Sequence, residues 1–464
     1  EFEEAVRLDP QFALAWLEMV FCHTMLGENR KASALLQRLS GMESRLPRRS
    51  QLLAQGARAA DGYDWEETER IHEALLAEFP REVLARVRLV WACFARDRFD
   101  QAAEVYREGV KLDPRDHYQW NLLSYPYVIE GNLSAALEAN DRCRVLLPNH
   151  AIPLADRADL YFIAGHSQEA IQACNESLKL GPAAGGYWCR YMLPVMYAEQ
   201  KNFSLSESTL REYGRLSKDP LTVFYEAHLE EARGRPEAAR ELYRKAVVQL
   251  ANAQRYDAAG QALLAVAHVS QVLGDSASAL AFARQQKLEG EEHLAISFVE
   301  AAQGDSAASE RSLQKYGAAC PWLTPAGLQI FRARNEMAAA LQHNDGQAAR
   351  VSTSRLPQLP ETWMPYYEAR GALLRREYVS AEQLLRRTLV LHRWLVSSWR
   401  WRHMRSPLLM LLCHFHLGQL NEATGKREQA VSEYREFLSP FEGSATRLPH
   451  VSEARAALKR LGAP

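Results

Sequence analysis

The sequence predicts an all-α chain: a right-handed α-solenoid of stacked helical hairpins, regular in its first half, degenerate in its second, and closed by a C-terminal capping helix. Three observations predict it. Pro80, Pro114, Pro148 and Pro182 stand 34 residues apart. Ala102, Ala136 and Ala170 keep the same step, as do Gly131 and Gly165 (with Asp97 one repeat earlier) and Tyr127 and Tyr161. No stretch alternates apolar and polar residues as a strand would. A fixed period of this length marks a stack of small supersecondary units, each too small to cover its own apolar face.

The opening decapeptide, EFEEAVRLDP, places Phe2, Ala5, Val6 and Leu8 at helical spacing and ends on Asp9-Pro10. The residue before a proline is pushed out of the α region, so the helix stops there. This piece reads as the second helix of a repeat whose first helix would precede residue 1. In the unit running from His117 to Pro148, Trp120, Leu123 and Tyr127 lie on one helix, and Leu133, Ala136, Leu137 and Val145 on the next. Gly131-Asn132 turns the chain between them, because the turn needs a residue that tolerates positive φ. The alanine column lets two backbones approach, and the aromatic column fills the space between helices. The proline ends the unit.

Beyond Pro182 the period loosens, but a turn residue followed five positions later by a small residue recurs at Gly234/Ala239, Gly274/Ala279, Gly304/Ser309 and Gly425/Ala430. The intervals vary, which implies helices of unequal length. Longer connections are expected at 317–326, 352–365 and 439–449, each holding prolines. The chain therefore divides into the second helix of a truncated repeat (1–10), a regular array (11–182), degenerate repeats (183–320), repeats with longer helices (321–438), and a linker with a capping helix (439–464).

These columns resemble the tetratricopeptide repeat (TPR) family, whose pattern is W-x2-L-G-x2-Y, then A-x3-F, then P. Here it runs Trp120-x2-Leu123-Ser124-x2-Tyr127, Ala136-x3-Asn140, Pro148. Leu89, Ala102-x3-Tyr106 and Pro114 carry it in the preceding unit, and Tyr161, Gly165, Ala170-x3-Cys174 and Pro182 in the following one. Trp16, Met19, Gly27, Ala32 and Leu36 match near the start. Ser124 and Asn140 depart from the usual glycine and aromatic. The order of parts is also similar to the C-terminal TPR region of bacterial multidomain signalling proteins, in which a serine/threonine kinase or a winged-helix domain precedes the array. That likeness implies a covalent N-terminal signalling domain outside this chain.

Composition narrows the function. With 56 Lys+Arg against 57 Asp+Glu the net charge is −1, which gives no general steering toward nucleic acid. Seven cysteines are scattered with no C-x-x-C pair, and the odd count argues against a disulfide framework. A reducing, cytoplasmic home is the expectation, with a periplasmic one left open. No apolar run reaches the ~20 residues of a membrane span. Phosphate-binding glycine loops and H-E-x-x-H are absent. His414 and His416, two apart on one helix, face different directions and make a poor metal pair. The acidic pairs at 66–67 and 230–231 read as solvated helix faces. The reading is no enzyme, no cofactor and no metal.

What remains is a surface for a protein or peptide partner. The family resemblance implies that the first helix of each repeat lines a concave groove. Carried over, the inward positions are Leu84, Val87, Arg88, Trp91 and Phe94, then Tyr118, Asn121, Leu122, Tyr125 and Val128, then Ile152, Ala155, Asp156, Asp159 and Phe162. From these, Arg88, Trp91, Tyr118, Asn121, Tyr125 and Asp159 are the candidate partner-binding set. Trp91 and Tyr125, 34 apart, form an aromatic column; packing between repeats is the competing use of those rings. A second candidate is the basic-aromatic stretch 391–407, with Trp394, Trp399, Arg400, Trp401, Arg402 and Arg405, as a nucleic-acid or membrane-surface contact. Its competing use is a long inter-helix connection pinned by its tryptophans. A third reading is a small-ligand sensor with an apolar cavity in the loose second half.

Overall fold

The computed structural model describes the chain except for residues 26–27, 182–185, 355–362, 398–405, 443, 445 and 464. Pro182, Gly27, Pro357, Pro360, Gly443 and Trp399, Arg400, Trp401, Arg402 and Arg405 therefore lie outside the described residues. Among those described there are 26 α-helices, two 3-10 turns and no strand. The fold is an all-α array of TPR-like hairpins.

The short helix α1 (Phe2–Leu8) precedes the pairs α2 (Ala13–Met25) and α3 (Asn29–Ser40), α4 (Arg48–Asp61) and α5 (Trp65–Glu78), α6 (Val83–Ala95) and α7 (Phe99–Leu112), and α8 (His117–Ile129) and α9 (Leu133–Leu146). Then come α10 (Ala151–Ile163) with α11 (Ser167–Leu180), α12 (Gly186–Glu199) with α13 (Phe203–Ser217), α14 (Thr222–Ala232) with α15 (Pro236–Asn252), and α16 (Tyr256–Val272) with α17 (Ser276–Ala283). The last pairs are α18 (Glu292–Ala302) and α19 (Ser306–Ala319), α20 (Pro325–Gln342) and α21 (Gly346–Ser354), α22 (Trp363–Leu374) and α23 (Tyr378–Ser397), and α24 (Pro407–Ala423) and α25 (Arg427–Leu438). The helix α26 (Pro449–Arg460) closes the chain where the capping helix was expected.

One turn builds these hairpins. Eleven of the turns are described, and each places one residue at positive φ: Tyr63, Asp97, Gly131, Gly165, Lys201, Gly234, Gly274, Gly304, Asn344, Arg376 and Gly425. The next N–H reaches back five residues, as Asn132 N does to Tyr127 O at 2.8 Å and Lys426 N to Asn421 O at 2.8 Å. That bond satisfies a carbonyl the helix end would leave open. Five positions after each positive-φ residue stands a small side chain (Thr68, Ala102, Ala136, Ala170, Ser206, Ala239, Ala279, Ser309, Ala349, Ala381, Ala430), none more than 5% exposed. Gln254, between α15 and α16, repeats the device with Ala259. The sequence pattern found the glycines and Asp97; it missed Asn344, which tolerates the left-handed region, and Tyr63, Lys201 and Arg376, which occupy it against their own preference.

The proline column works at the other end of the hairpin. Asp9, Phe79, Asp113 and Leu147, each before a proline, cap their helices with ψ between 65° and 95°, the extended setting a following proline imposes. Six residues after the proline a side chain returns to its carbonyl: Trp16 Nε1 donates to Pro10 O and Trp120 Nε1 to Pro114 O, both at 3.0 Å, and Arg86 donates to Pro80 O. The tryptophan column thus closes the inter-repeat turn.

The chain forms two compact units. The first holds Glu1–Leu147 with Gly317–Phe331. Its core runs through consecutive hairpins: Leu89, Cys93, Ala102, Tyr106 and Leu123 form one cluster and Leu52, Ile71, Leu75 and Ala85 another. Gly317–Phe331 docks in it, with Thr324 Oγ1 donating to Gly62 O and the Phe331 ring 5.5 Å from that of Tyr63.

The second unit holds Pro148–Tyr316, Arg332–Leu356 and Glu361–Pro464. Its helices pack on sequence neighbours, and in addition α10 packs on α23 and α14 on α24. Late helices thus lie against early ones. The helices of its later repeats reach 17 to 20 residues, against 13 or 14 in the regular repeats, which accounts for the broken period.

Candidate functional site

In the first unit the predicted face is a strip of partly exposed side chains on α6 and α8. Leu84, Val87, Trp91 and Phe94 are half-buried, while Ala85, Leu89 and Ala92 between them are core. On α8, Asn121, Leu122 and Tyr125 are half-buried, Tyr118 is 46% exposed, and Val128 is buried. Trp91 meets Phe94 edge-on at 6.1 Å, and Phe94 stacks on the core ring of Phe99 at 5.0 Å. The helical period explains the alternation: residues at i, i+3 and i+7 share a face. Arg88, however, is only 9% exposed.

Asp159 belongs to the second unit and is 3% exposed on α10. Phe162 and Ala155 beside it are also buried. The alternation of α10 turns these positions into the packed interior of that unit.

The basic-aromatic stretch begins as helix. Leu391 to Ser397 are the last two turns of α23 rather than a connection, because no proline or glycine interrupts the helix there and the buried face of Leu385, Thr388 and His392 runs into them. Trp394 is 7% exposed and His392 3%. Arg393 Nε bonds Glu199 Oε1 at 3.1 Å.

Glu231 corrects the reading of 230–231 as a solvated pair. It is 1% exposed, and its carboxyl accepts from Tyr243 Oη (2.7 Å), Ser406 Oγ (2.8 Å) and Leu408 N (3.0 Å). It therefore caps the N-terminus of α24 from α14, where a carboxylate is favoured by the open amides. Ser406 N also donates to His392 Nε2 at 3.1 Å. No local pattern signals this role, since the two partners are some 175 positions apart. Glu230 stays partly exposed, at 16%, and pairs with Arg233 at 2.9 Å.

His414 and His416 point to different sides of α24. His414 Nδ1 faces Glu433 Oε2 at 2.7 Å, whereas His416 bonds Tyr366 Oη (3.2 Å) and Gln419 Oε1 (2.8 Å) on another face of α24. Burial drives the His416 imidazole well below its ordinary range, with Arg370 adding to the shift. Among the described residues no three His, Cys, Asp or Glu side chains converge as a metal site would require. All seven cysteines are free thiols, and burial pushes Cys93 up to about 12. No described helix is long and apolar enough to cross a membrane. The second unit does contain a cavity of about 270 Å³ beside Glu199, His392 and Met410.

Residues 57–124 match the tetratricopeptide repeat. The match covers the end of α4, then α5, α6 and α7, and the first eight residues of α8, hairpins whose turns and prolines are described above. A curated relative is the BBSome complex member BBS4 of Mus musculus, 30% identical over 119 residues, which is 26% of this chain and 22% of that protein. The chain thus aligns with about a fifth of that relative's length. Among solved structures, the APC/C hetero-tetramer Cut9-Hcn1 is similar at 12% identity, with 90% of this chain and 96% of that one covered and a TM-score of 0.28. YrrB, described as a TPR protein with an unusual peptide-binding site, is similar at 15% identity over 39% of this chain and 93% of that one, with a TM-score of 0.26.

Proposed function

We propose that the chain is a non-catalytic interaction scaffold that holds a protein or peptide partner on the strip of α6 and α8. The observation that carries this is the half-exposure of large side chains at matched hairpin positions, Trp91 and Tyr125, with Tyr118 and Asn121 beside them. Rings in this state present contact area at low entropic cost. Arg88 and Asp159 offer too little surface to add to it. The mechanism is display: the hairpins fix the strip, and the partner lays an apolar segment along it. In a longer protein, the array serves as the regulatory or sensor part of a bacterial signalling chain. A relative whose name makes it a complex member is in keeping with an assembly role.

The double variant Trp91→Ala/Tyr125→Ala tests this. Peptides selected from a displayed library on the wild-type chain lose binding to the variant, while helical circular dichroism and Tm stay within a few degrees. A sharp drop in Tm would show the rings to be core and end this assignment. The competing basic-aromatic contact predicts instead a binding that weakens steeply with salt.

A further inference from the structure

We propose that the cavity of the second unit is a binding site for a small, uncharged aromatic molecule of about the size of naphthol. The proposal is independent of the α6–α8 strip, which lies in the other unit.

The walls argue for the class of ligand. Phe162 of α10, Tyr191 of α12, Tyr225 and Leu229 of α14, and Met410 and Leu411 of α24 line the hollow. Three of the six are aromatic, and the Tyr191 and Tyr225 rings lie 4.8 Å apart, so a planar guest finds ring edges and faces at contact distance. Met410 supplies an adaptable, polarizable surface. Two small residues, Ala198 and Ala232, also face the space. A guest that fills the hollow gains dispersion contact with these walls.

Volume sets the size. A cavity of roughly 150 Å³ takes one benzene; about 270 Å³ takes a bicyclic ring of roughly ten to twelve heavy atoms on the same scale.

The charged groups at the wall set the charge. Arg393 is held by Glu199 at 3.1 Å, and Glu199 also accepts from Ser167 Oγ at 2.8 Å. Lys201 is held by Glu436 at 3.2 Å. Both cations are thus matched, and an anionic guest would have to displace a carboxylate and leave it uncompensated. A neutral hydroxyl or N–H can bond a carboxylate oxygen without breaking either pair. The Lys201–Glu436 pair is nearly half exposed, which gives the guest an entrance from solvent.

Two ties hold the walls in place. The Arg393–Glu199 pair joins α23 to α12, and the Glu231 cap joins α14 to α24. Pro194 lies inside α12 on the cavity wall and removes one helix hydrogen bond there. The space is therefore framed by directed polar contacts rather than left by loose packing.

The test is a titration of the full chain with 2-naphthol, followed by calorimetry and by its fluorescence. Saturable one-to-one binding is expected, with Kd on the order of tens to hundreds of micromolar for a ligand of this size and a rise in Tm. Ala232→Phe, which places a ring inside the space, weakens binding at least tenfold with helical circular dichroism unchanged; Val195→Phe serves if that variant fails to fold. The anion 2-naphthoate, nearly identical in shape, binds at least tenfold more weakly than 2-naphthol. No saturation by 1 mM 2-naphthol, or binding undiminished in the filled variants, overturns the site. Equal affinity for 2-naphthoate overturns the assignment of charge.

Discussion

At the scale of the residue, Glu231 ties three segments of the second unit together. A carboxyl group taken out of water is costly unless its oxygens are all engaged, and here three donors from α15 and the start of α24 converge on it. Removing it strands those donors. Each buried, unsatisfied group costs about 1–3 kcal/mol, so Glu231→Ala is expected to lose on the order of 3 kcal/mol or more, and Glu231→Gln, which keeps one acceptor, clearly less. Urea unfolding measures both; the midpoint falls while the slope holds. Wild-type midpoints for Glu231→Ala would show that the cap carries no weight. This residue also shows where sequence reading stops. Glu230 and Glu231 are adjacent and chemically identical, and the arrival of Ser406 and Leu408 from a remote hairpin separates the partly exposed residue from the fully buried one.

At the scale of the element, the hairpin depends on small residues, but for two different reasons. Gly131 adopts φ 84, and a Cβ there would meet nothing within 4 Å. Its role is conformational, and Gly131→Ala is expected to cost about 1 kcal/mol through backbone strain alone. Gly418 sits in the middle of α24, where alanine is intrinsically favoured by about 1 kcal/mol. A Cβ at that position would lie 2.7 Å from the Tyr434 ring of α25, so Gly418→Ala is expected to destabilise despite its helix propensity, by overpacking of about 1–3 kcal/mol. Thermal unfolding of the two variants separates the causes. A Gly418→Ala chain more stable than wild type would mean the helices part at little cost. The turn itself was legible wherever glycine or aspartate filled it. It was hidden at Asn344 and at Tyr63, Lys201 and Arg376, the last three of which resist positive φ, and at all four the buried small residue five positions later marks the turn. The more informative column was therefore the buried small residue. The strip on α6 and α8 was legible as a helix face, whereas the burial of Arg88, like that of Asp159 on α10, was not, since periodicity assigns a side but not how much a neighbour covers it.

At the scale of the whole molecule, the repeats were legible because each hairpin rests on the next, and the closure of the second unit was not, because α10 with α23 and α14 with α24 join segments far apart in the chain. Both units bury neutral histidines, and this gives the chain a defined response to acid. His72, in the first unit, is fully buried; its Nδ1–H donates to Thr68 O at 2.7 Å, and burial first, then the charge of Arg88, brings its pKa down to about 4. In the second unit, burial holds His450 at about 4 and drives His268 and His416 well below their ordinary range. In the unfolded chain each titrates near 6.5. As pH falls below that value the unfolded state takes up protons that the native state refuses, so stability is lost on going from about 6.5 toward 4. Each such histidine contributes about 1.4 kcal/mol per pH unit across that window. Paired carboxylates such as Glu207, Glu310 and Glu382, whose arginine partners hold them below the usual carboxylate range, respond in the opposite part of the scale: their contribution is present above about 4.5 and is lost only below it. The interval from pH 6.5 to 5 therefore belongs to the histidines, and unfolding midpoints in urea should fall steeply across it. His72→Gln should remove about 1.4 kcal/mol per pH unit from that slope, whatever it does to stability at neutral pH. A slope left unchanged by the substitution would mean that His72 is protonated in the native chain.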